Sequence, residues 1–207
     1  MALKLPRVSI TVDDEKGQGT QGELSALSIG FGIHQAWLLC VTLCSPIILG
    51  VQEGMSIMPG VQVPLVFIFI VLAFCLTMFF AAATDQALRK YYTSKQAVVI
   101  SAVLTAIGSG MIFVSSFINV PGFSAAGGVA CGIGFGLLTL YCGIAYSRNS
   151  TASIVLNSSI SMVIAALISF ILYHFVPQPF CGILACLLPI LELPMLWILT
   201  PQSYAIR

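Results

Sequence analysis

The sequence predicts an all-α membrane protein, a bundle of six transmembrane helices with both termini in the cytoplasm. Hydrophobic residues make up 58% of the 207-residue chain and charged residues only 7%, against about 25% charged residues in a soluble domain. The apolar residues fall in six runs of roughly 20 residues, enough to span a hydrocarbon core about 30 Å thick. All eight lysines and arginines lie outside those runs. Together these observations exclude a soluble core.

The six runs place the helices in order along the chain. They cover residues 25–49, 63–84, 97–117, 122–146, 153–173 and 179–200. Residues 1–24 form an N-terminal tail that lacks an apolar region, so we expect no cleavable signal peptide and a mobile, solvated segment. Residues 201–207 form a short C-terminal tail. The sequence therefore predicts one transmembrane domain, residues 25–200, between two cytoplasmic tails.

The orientation follows from where the basic residues lie. Lysine and arginine occur in the two tails and in alternate connections between helices, at Lys4, Arg7, Lys16, Arg89, Lys90, Lys95, Arg148 and Arg207. Cytoplasmic loops retain such residues, so both tails and both basic connections are expected inside the cell. The pattern predicts a multi-pass protein of the inner (cytoplasmic) membrane, with the lipid bilayer as its first partner.

Small residues indicate how the helices pack. Helices in lipid gain little from hydrophobicity when they associate, so small side chains mark the faces where backbones approach. Gly128, Gly132 and Gly136 repeat every four residues in the fourth helix, and other glycines lie on its remaining sides. We therefore expect the first and fourth helices to be central, with this glycine stripe as a helix-packing face.

Two ionisable residues fall inside the apolar runs. His34 in the first helix and Glu192 in the sixth both lie roughly 12–14 Å from the cytoplasmic face at about 1.5 Å per residue. Such groups are functional candidates because an isolated charge at that depth is costly. We hypothesise that they border a polar cavity, with Gln35, Trp37 and Asn157 as further ligand-binding candidates. The alternative is that His34 bonds to backbone and that Glu192 is protonated or reaches the interface.

The sixth helix contains two prolines, Pro189 and Pro194. Each removes a backbone donor and obstructs the carbonyl group four residues earlier, at Ala185 and Ile190. This pattern predicts a kink or an unwound turn in the sixth helix.

Signatures of catalysis and of metal binding are absent from the sequence. The nearest match to an intramembrane serine protease motif, at residues 106–110, lacks its first glycine, and neither paired histidines nor a phosphate-binding loop occurs. The seven cysteines lie within the apolar runs without a C-x-x-C pair. Eight basic residues divided among four segments make no basic face. We expect no enzyme activity, no catalytic residue, no metal or cofactor and no direct binding of nucleic acid.

The connection between the second and third helices carries a recognisable motif. Asp85, Arg89 and Lys90 follow Ala81 with the acidic-then-basic spacing of the loop between the second and third helices of the major facilitator superfamily. The chain departs from that motif at Gln86, where the family has a basic residue, and at Leu88, where it has glycine. The resemblance implies that Asp85, Arg89 and Lys90 form a cytoplasmic gate motif. A plain positive-inside loop is the alternative.

Six helices with both ends inside also resemble one half of that superfamily, which is built from two six-helix bundles. The fourth helix and its exit, residues 132–148, resemble the facilitator-like membrane regions that precede LuxR-type helix-turn-helix domains in actinobacterial regulators. That resemblance implies a ligand-sensing membrane module whose DNA-binding domain is absent from this chain. One alternative is a half-size secondary transporter working as a homodimer or with a missing second half; another is a truncated or vestigial membrane fragment. The implied partner is a small-molecule ligand.

Overall fold

Six long helices make up most of the computed structural model, which describes residues 9–13, 19–50, 54–58, 61–84, 87, 91–92, 94–118, 120 and 122–199. The helices are α1 (Ala26–Leu38), α2 (Leu65–Ala83), α3 (Lys95–Ser115), α4 (Phe123–Tyr146), α5 (Thr151–Phe175) and α6 (Phe180–Leu199). The predicted helical bundle is confirmed. Within the described residues, five segments are long and apolar enough to cross a membrane, namely α1 with its continuation and α2 to α5.

The first predicted helix is not uniform. After α1 the chain continues as a π-helical segment, Leu39–Leu43, and then as a single helical turn, Ser45–Ile48. In the π segment the N–H of Cys44 donates to the carbonyl of Leu39, five residues earlier (2.9 Å). Pro46 has no N–H with which to continue an α-helical ladder. The prediction of one continuous helix over residues 25–49 is therefore wrong after Leu43, where Cys44 separates the π segment from the last helical turn.

Two short antiparallel hairpins accompany the bundle. Strands β1 (Ser9–Asp13) and β2 (Gly19–Glu23) pair with Ser9 opposite Glu23, and strands β3 (Gly54–Met58) and β4 (Val61–Pro64) pair before α2. The first hairpin lies against α5. Part of the segment predicted as a mobile, solvated tail is thus ordered, and its run of Ile, Thr and Val is typical of strands.

The helices pair in a pattern that repeats between the two halves of the bundle. The most extensive pairings are α1 with α5, α4 with α2, α1 with α6, α4 with α3, and α3 with α6. Exchanging α1, α2 and α3 for α4, α5 and α6 maps this set onto itself. Because each half has three helices, corresponding helices run in opposite directions, as in an inverted repeat.

The first and fourth helices are the most enclosed of the five candidate spans. Within an apolar stretch of 18 residues in each span, buried residues make up 56% for α1 and 50% for α4, against 39% for α3 and 22% each for α2 and α5. The outer helices α2 and α5 therefore present most of their apolar surface outwards, where lipid would contact it.

The glycine stripe of α4 lies against α2. A methyl group placed on Gly132 would lie 2.6 Å from Cβ of Ala73, and one on Gly128 would lie 2.9 Å from Cβ of Phe69. Gly136 is next along the stripe and meets Thr77, so three residues of α2 spaced by four match three glycines spaced by four. Only hydrogen atoms fit between these backbones.

A second face of α4 approaches α3 as closely. Cβ atoms on Gly127 and Gly108 would lie 2.8 Å and 2.7 Å from each other's carbonyl oxygens. Gly134 continues this seam about two turns further, where a Cβ would lie 2.6 Å from the Ser101 carbonyl oxygen. The helix is thus held by close backbone contact on two sides.

The sixth helix continues through both of its prolines. Helical geometry extends over Phe180–Leu199 with Pro189 and Pro194 inside it. The predicted unwound turn is therefore not formed. Prolines are tolerated inside packed transmembrane helices because neighbouring groups and small local adjustments accommodate the freed backbone groups.

Candidate functional site

The structure brings His34 and Glu192 together in the interior of the bundle. Nδ1 of His34 lies 3.2 Å from Oε2 of Glu192, so α1 and α6 are joined by a direct side-chain contact. Each side chain is only 1% exposed. The two ionisable residues that the sequence singled out at membrane depth are therefore partners in one enclosed pair.

Helix α4 completes the hydrogen bonding of the pair. The other ring nitrogen of His34, Nε2, lies 2.9 Å from Oγ1 of Thr139, and the thiol of Cys142 donates to Oε1 of Glu192 at 3.7 Å. Both ring nitrogens and both carboxyl oxygens therefore have a partner. The four side chains form a chain, Thr139 to His34 to Glu192 to Cys142, that begins and ends on α4.

Two aromatic rings pack nearly parallel to the imidazole. The ring of Phe135 stacks on His34 with centroids 4.3 Å apart and planes 7° apart. Phe31 stacks on His34 at 5.8 Å and meets Tyr146 edge-on at 5.1 Å. These contacts help to fix the orientation of the ring, so its two nitrogens stay directed at their partners.

The three helices contribute to the site at one level of the bundle. His34 lies eight residues after the start of α1 at Ala26, while Thr139 and Glu192 each lie seven residues before the ends of their helices, at Tyr146 and Leu199. At about 1.5 Å per residue each is roughly 10–12 Å from the helix terminus at the same end of the bundle. This agreement of depth is what allows the contacts.

The two side chains of the pair compensate each other. With one shared proton the pair is neutral overall, either as imidazolium and carboxylate or as imidazole and carboxylic acid. Removing one partner of a buried ion pair leaves the other charge uncompensated among apolar and aromatic side chains, which costs several kcal/mol, on the order of 3–5.

The other predicted binding residues occupy different places. Trp37 lies beside the site, with its ring 4.9 Å from that of Phe135, and its indole N–H donates to Oγ of Ser109 on α3 (2.9 Å). Asn157 lies near the start of α1, where its Oδ1 accepts from the backbone N–H of Ser25 (2.8 Å). Gln35 is half-buried and takes no part in the contacts described for the pair.

The surroundings of the pair differ from what the sequence indicated. Side chains that are 1% exposed are enclosed by protein, so the pair does not line an open polar cavity. In the alternative, the backbone bond of His34 is wrong because His34 bonds to side chains, and Glu192 is buried and does not reach the interface. The protonated Glu192 of that alternative stays a prediction. Both interpretations lacked the residues of α4 that surround the pair.

The gate motif lies outside the described residues, since Asp85, Arg89 and Lys90 are not among them. The described chain on either side of it is linked by a bond of 2.6 Å between the hydroxyl groups of Thr84 and Tyr92. The role that the resemblance implies for this loop stays a prediction.

Three residues of the site were missed at the sequence level, namely Phe135, Thr139 and Cys142. They share one face of α4 because they are spaced by four and then three residues. Thr139 is also a polar residue at the depth of His34 and Glu192. Spacing and depth together were the available signal.

No protein-family model matches this chain, and neither a curated protein nor a solved structure matches it.

Proposed function

We propose that this chain is a ligand-sensing module of the inner membrane in which the His34–Glu192 pair is the responsive element. The observation that carries the proposal is the enclosed pair itself, bonded on both sides to α4. Ionisable residues are rare at membrane depth, and those retained there usually serve a binding or relay role. Like LuxR-type regulators, the module would pass its signal to a cytoplasmic effector.

The position of the pair suits a switch. It joins α1 and α6, which pack together, to α4, which packs on α2 and α3. A ligand or proton that separates His34 from Glu192 removes the direct side-chain link between α1 and α6. Each of these helices then keeps only its own bond to α4, at Thr139 and Cys142. The glycine seams of α4 stay intact, so the expected response is a shift of α1 and α6 relative to each other and to α4.

The architecture supports the facilitator-like half. Six helices pair in an inverted three-plus-three pattern, with α1 and α4 the most enclosed spans. Halves of major facilitator transporters contain inverted repeats of this kind. With the positive-inside pattern, this supports six crossings with both termini in the cytoplasm.

A half-size transporter is the second candidate, favoured by the same inverted pairing. Alternating access needs a second bundle to move against, so this function requires a homodimer or a separate partner half. Native mass measurement in lipid nanodiscs distinguishes the candidates. A monomer supports the sensing module, whereas a stable dimer that exchanges a solute across proteoliposomes supports the transporter.

The responsive element is tested by hydrogen exchange of the full chain in nanodiscs, comparing wild type with His34→Gln and Glu192→Gln. We expect faster exchange in α1 and α6 around the pair, with the α2–α4 seam unchanged. Ser159→Ala, at an exposed position on α5, is the matched control. Unchanged exchange in both pair variants, or a uniform increase across all helices, would contradict the proposal.

A further inference from the structure

A second candidate site lies at the end of the bundle opposite to the His34–Glu192 pair. A pocket of about 340 Å³ opens between the helical turn that follows the π segment, the last turn of α5 and the start of α6. Its lining residues are Ile47, Ile48, Leu172, Tyr173, His174, Phe175, Val176, Pro177, Gln178 and Cys181. Small-molecule sites in proteins span about 300–1,000 Å³, so this pocket suits a small ligand or one end of a longer one.

The lining combines apolar walls with one amide donor group. Ile47, Leu172 and Val176 supply aliphatic surface, and the lining residues that the structure describes include no Lys, Arg, Asp or Glu. The amide Nε2 of Gln178 donates to the backbone carbonyl groups of Ile47 and Ile48, the latter at 3.0 Å. The Gln178 amide therefore already binds two backbone carbonyl oxygens, next to the aliphatic side chains of the pocket.

Exposed aromatic side chains lie at this end of α5 and α6. Tyr173, Phe175 and Phe180 are each at least half exposed, and His174 packs with its ring centroid 4.6 Å from that of Tyr173. Tyr and Trp are enriched at the interface between hydrocarbon and head groups, so Tyr173 at the end of an apolar helix supports an opening near the depth where acyl chains end in carbonyl groups.

We propose that this pocket binds an acyl compound, with its carbonyl or carboxyl oxygen on Gln178 and its chain along Ile47, Leu172 and Val176. The ligand oxygen takes the place of one of the two backbone carbonyl groups that Gln178 now serves. A chain too long for the pocket continues into lipid through the open side. This binding does not depend on the proposed sensing function, because it needs no response at the His34–Glu192 pair.

Binding at this site would act on the helical turn that follows the π segment. The carbonyl of Ile48 also accepts from the thiol of Cys181 at 3.6 Å, so α6 and the α5–α6 connection together hold the turn after the π segment. A ligand that accepts a hydrogen bond from Gln178 removes one of the bonds that fix this turn. The two sources of such a ligand are an ester group of a bilayer lipid and a free acyl acid.

The test uses the full chain in nanodiscs with a photoreactive decanoic acid that carries a diazirine on its chain. We expect crosslinks, mapped by mass spectrometry, to concentrate on residues 172–181. Val176→Trp fills the half-buried wall and is expected to reduce labelling at least tenfold. Val163→Trp, on the exposed face of α5, adds the same bulk and is expected to leave labelling unchanged.

A second variant tests the proposal independently, in case Val176→Trp does not fold. Gln178→Leu keeps the side-chain size and removes the donor, and it is expected to reduce labelling several-fold. Competition by decanoate alone identifies a free acyl acid as the ligand, and competition by added phospholipid alone identifies a bilayer lipid. Labelling that is spread evenly over lipid-facing helices, or that neither competitor reduces, would overturn the proposal.

Discussion

Helix α4 meets its neighbours in two different ways. Against α2 and α3 it presents glycines, and the backbones touch with no space for a methyl group. Against α1 and α6 it presents Phe135, Thr139 and Cys142, and contact is made through side chains. The first kind of junction has few ways to rearrange, because any shift separates closely packed backbones or makes them clash.

The second kind of junction is specified by hydrogen bonds and ring stacking. The proposed sensing function requires that these contacts are lost or exchanged when a ligand or proton binds, while the glycine seams stay intact. The difference suggests a division of roles, with the seams setting the shape of the bundle and the polar junction allowing it to respond. Four substitutions test this division, taken from the largest expected effect to the smallest.

The largest effect is expected from Gly132→Leu in the α2–α4 seam. A side chain there must displace the backbone of α2, and overpacking of this kind costs on the order of 3 kcal/mol or more. We expect loss of folded protein, measured by size-exclusion chromatography in mild detergent. Gly143→Ala is the matched control, because a Cβ at Gly143 meets nothing within 4 Å. A Gly132→Leu variant as stable as this control would contradict the claim that the α2–α4 seam has no space for a side chain.

Glu192→Ala should have the next largest effect. It leaves His34 Nδ1 without its partner and opens a cavity beside it, for a loss of about 1–3 kcal/mol in unfolding free energy. Glu192→Gln keeps the shape and a hydrogen bond, so it should lose less than half as much. Thermal unfolding in the same detergent measures both. Equal losses for the two variants would mean that the carboxyl group contributes only volume.

A smaller effect is expected from Trp37→Phe, which removes the indole donor to Ser109 while keeping an aromatic ring. The buried bond joins α1 to α3, and its loss should lower the unfolding free energy by about 1 kcal/mol. Ser109→Ala should cost at least as much, since it breaks the same bond and also removes the Ser109 hydroxyl that donates to the Thr105 carbonyl. If both variants are neutral, the bond between α1 and α3 does not contribute to stability.

The smallest effect is expected from Asn157→Ala on α5, where the side chain of Asn157 meets the start of α1. Side-chain hydrogen bonds between transmembrane helices contribute about 0.6 kcal/mol on average. We expect a loss of that size, with faster hydrogen exchange confined to the first turn of α1, because Asn157 accepts the backbone N–H of Ser25. Faster exchange around His34 as well would show that the two ends of α1 are coupled.

Much of the fold followed from the sequence because membrane helices are constrained by length and composition. The number of helices, the glycine stripe of α4 and the depth of His34 and Glu192 required only counting along the chain. Depth also suggested that the two ionisable residues could meet. The prediction stopped there because depth gives no rotation of a helix about its axis.

The missed features all depend on that rotation or on tertiary contact. Helix α4 is apolar on nearly every side, so its sequence does not indicate which face meets α1, and Phe135 and Thr139 were overlooked. The π segment at Leu39–Leu43 has no sequence signature of its own; the Thr42 hydroxyl bonds to the Leu38 carbonyl within it. The pocket at Gln178 joins residues more than 120 positions apart.

The most direct test of the polar junction is a double-mutant cycle on unfolding free energy with His34→Ala, Glu192→Ala and the double variant. Contacting residues couple by about 0.5–3 kcal/mol, whereas distant ones add within about 0.5 kcal/mol. A control cycle pairs His34 with Gln178, at the opposite end of the bundle. We predict a coupling free energy of at least about 1 kcal/mol for the first cycle. For the control cycle we predict losses that add within about 0.5 kcal/mol. Additive losses for His34 and Glu192 would contradict the claim that they act as one unit.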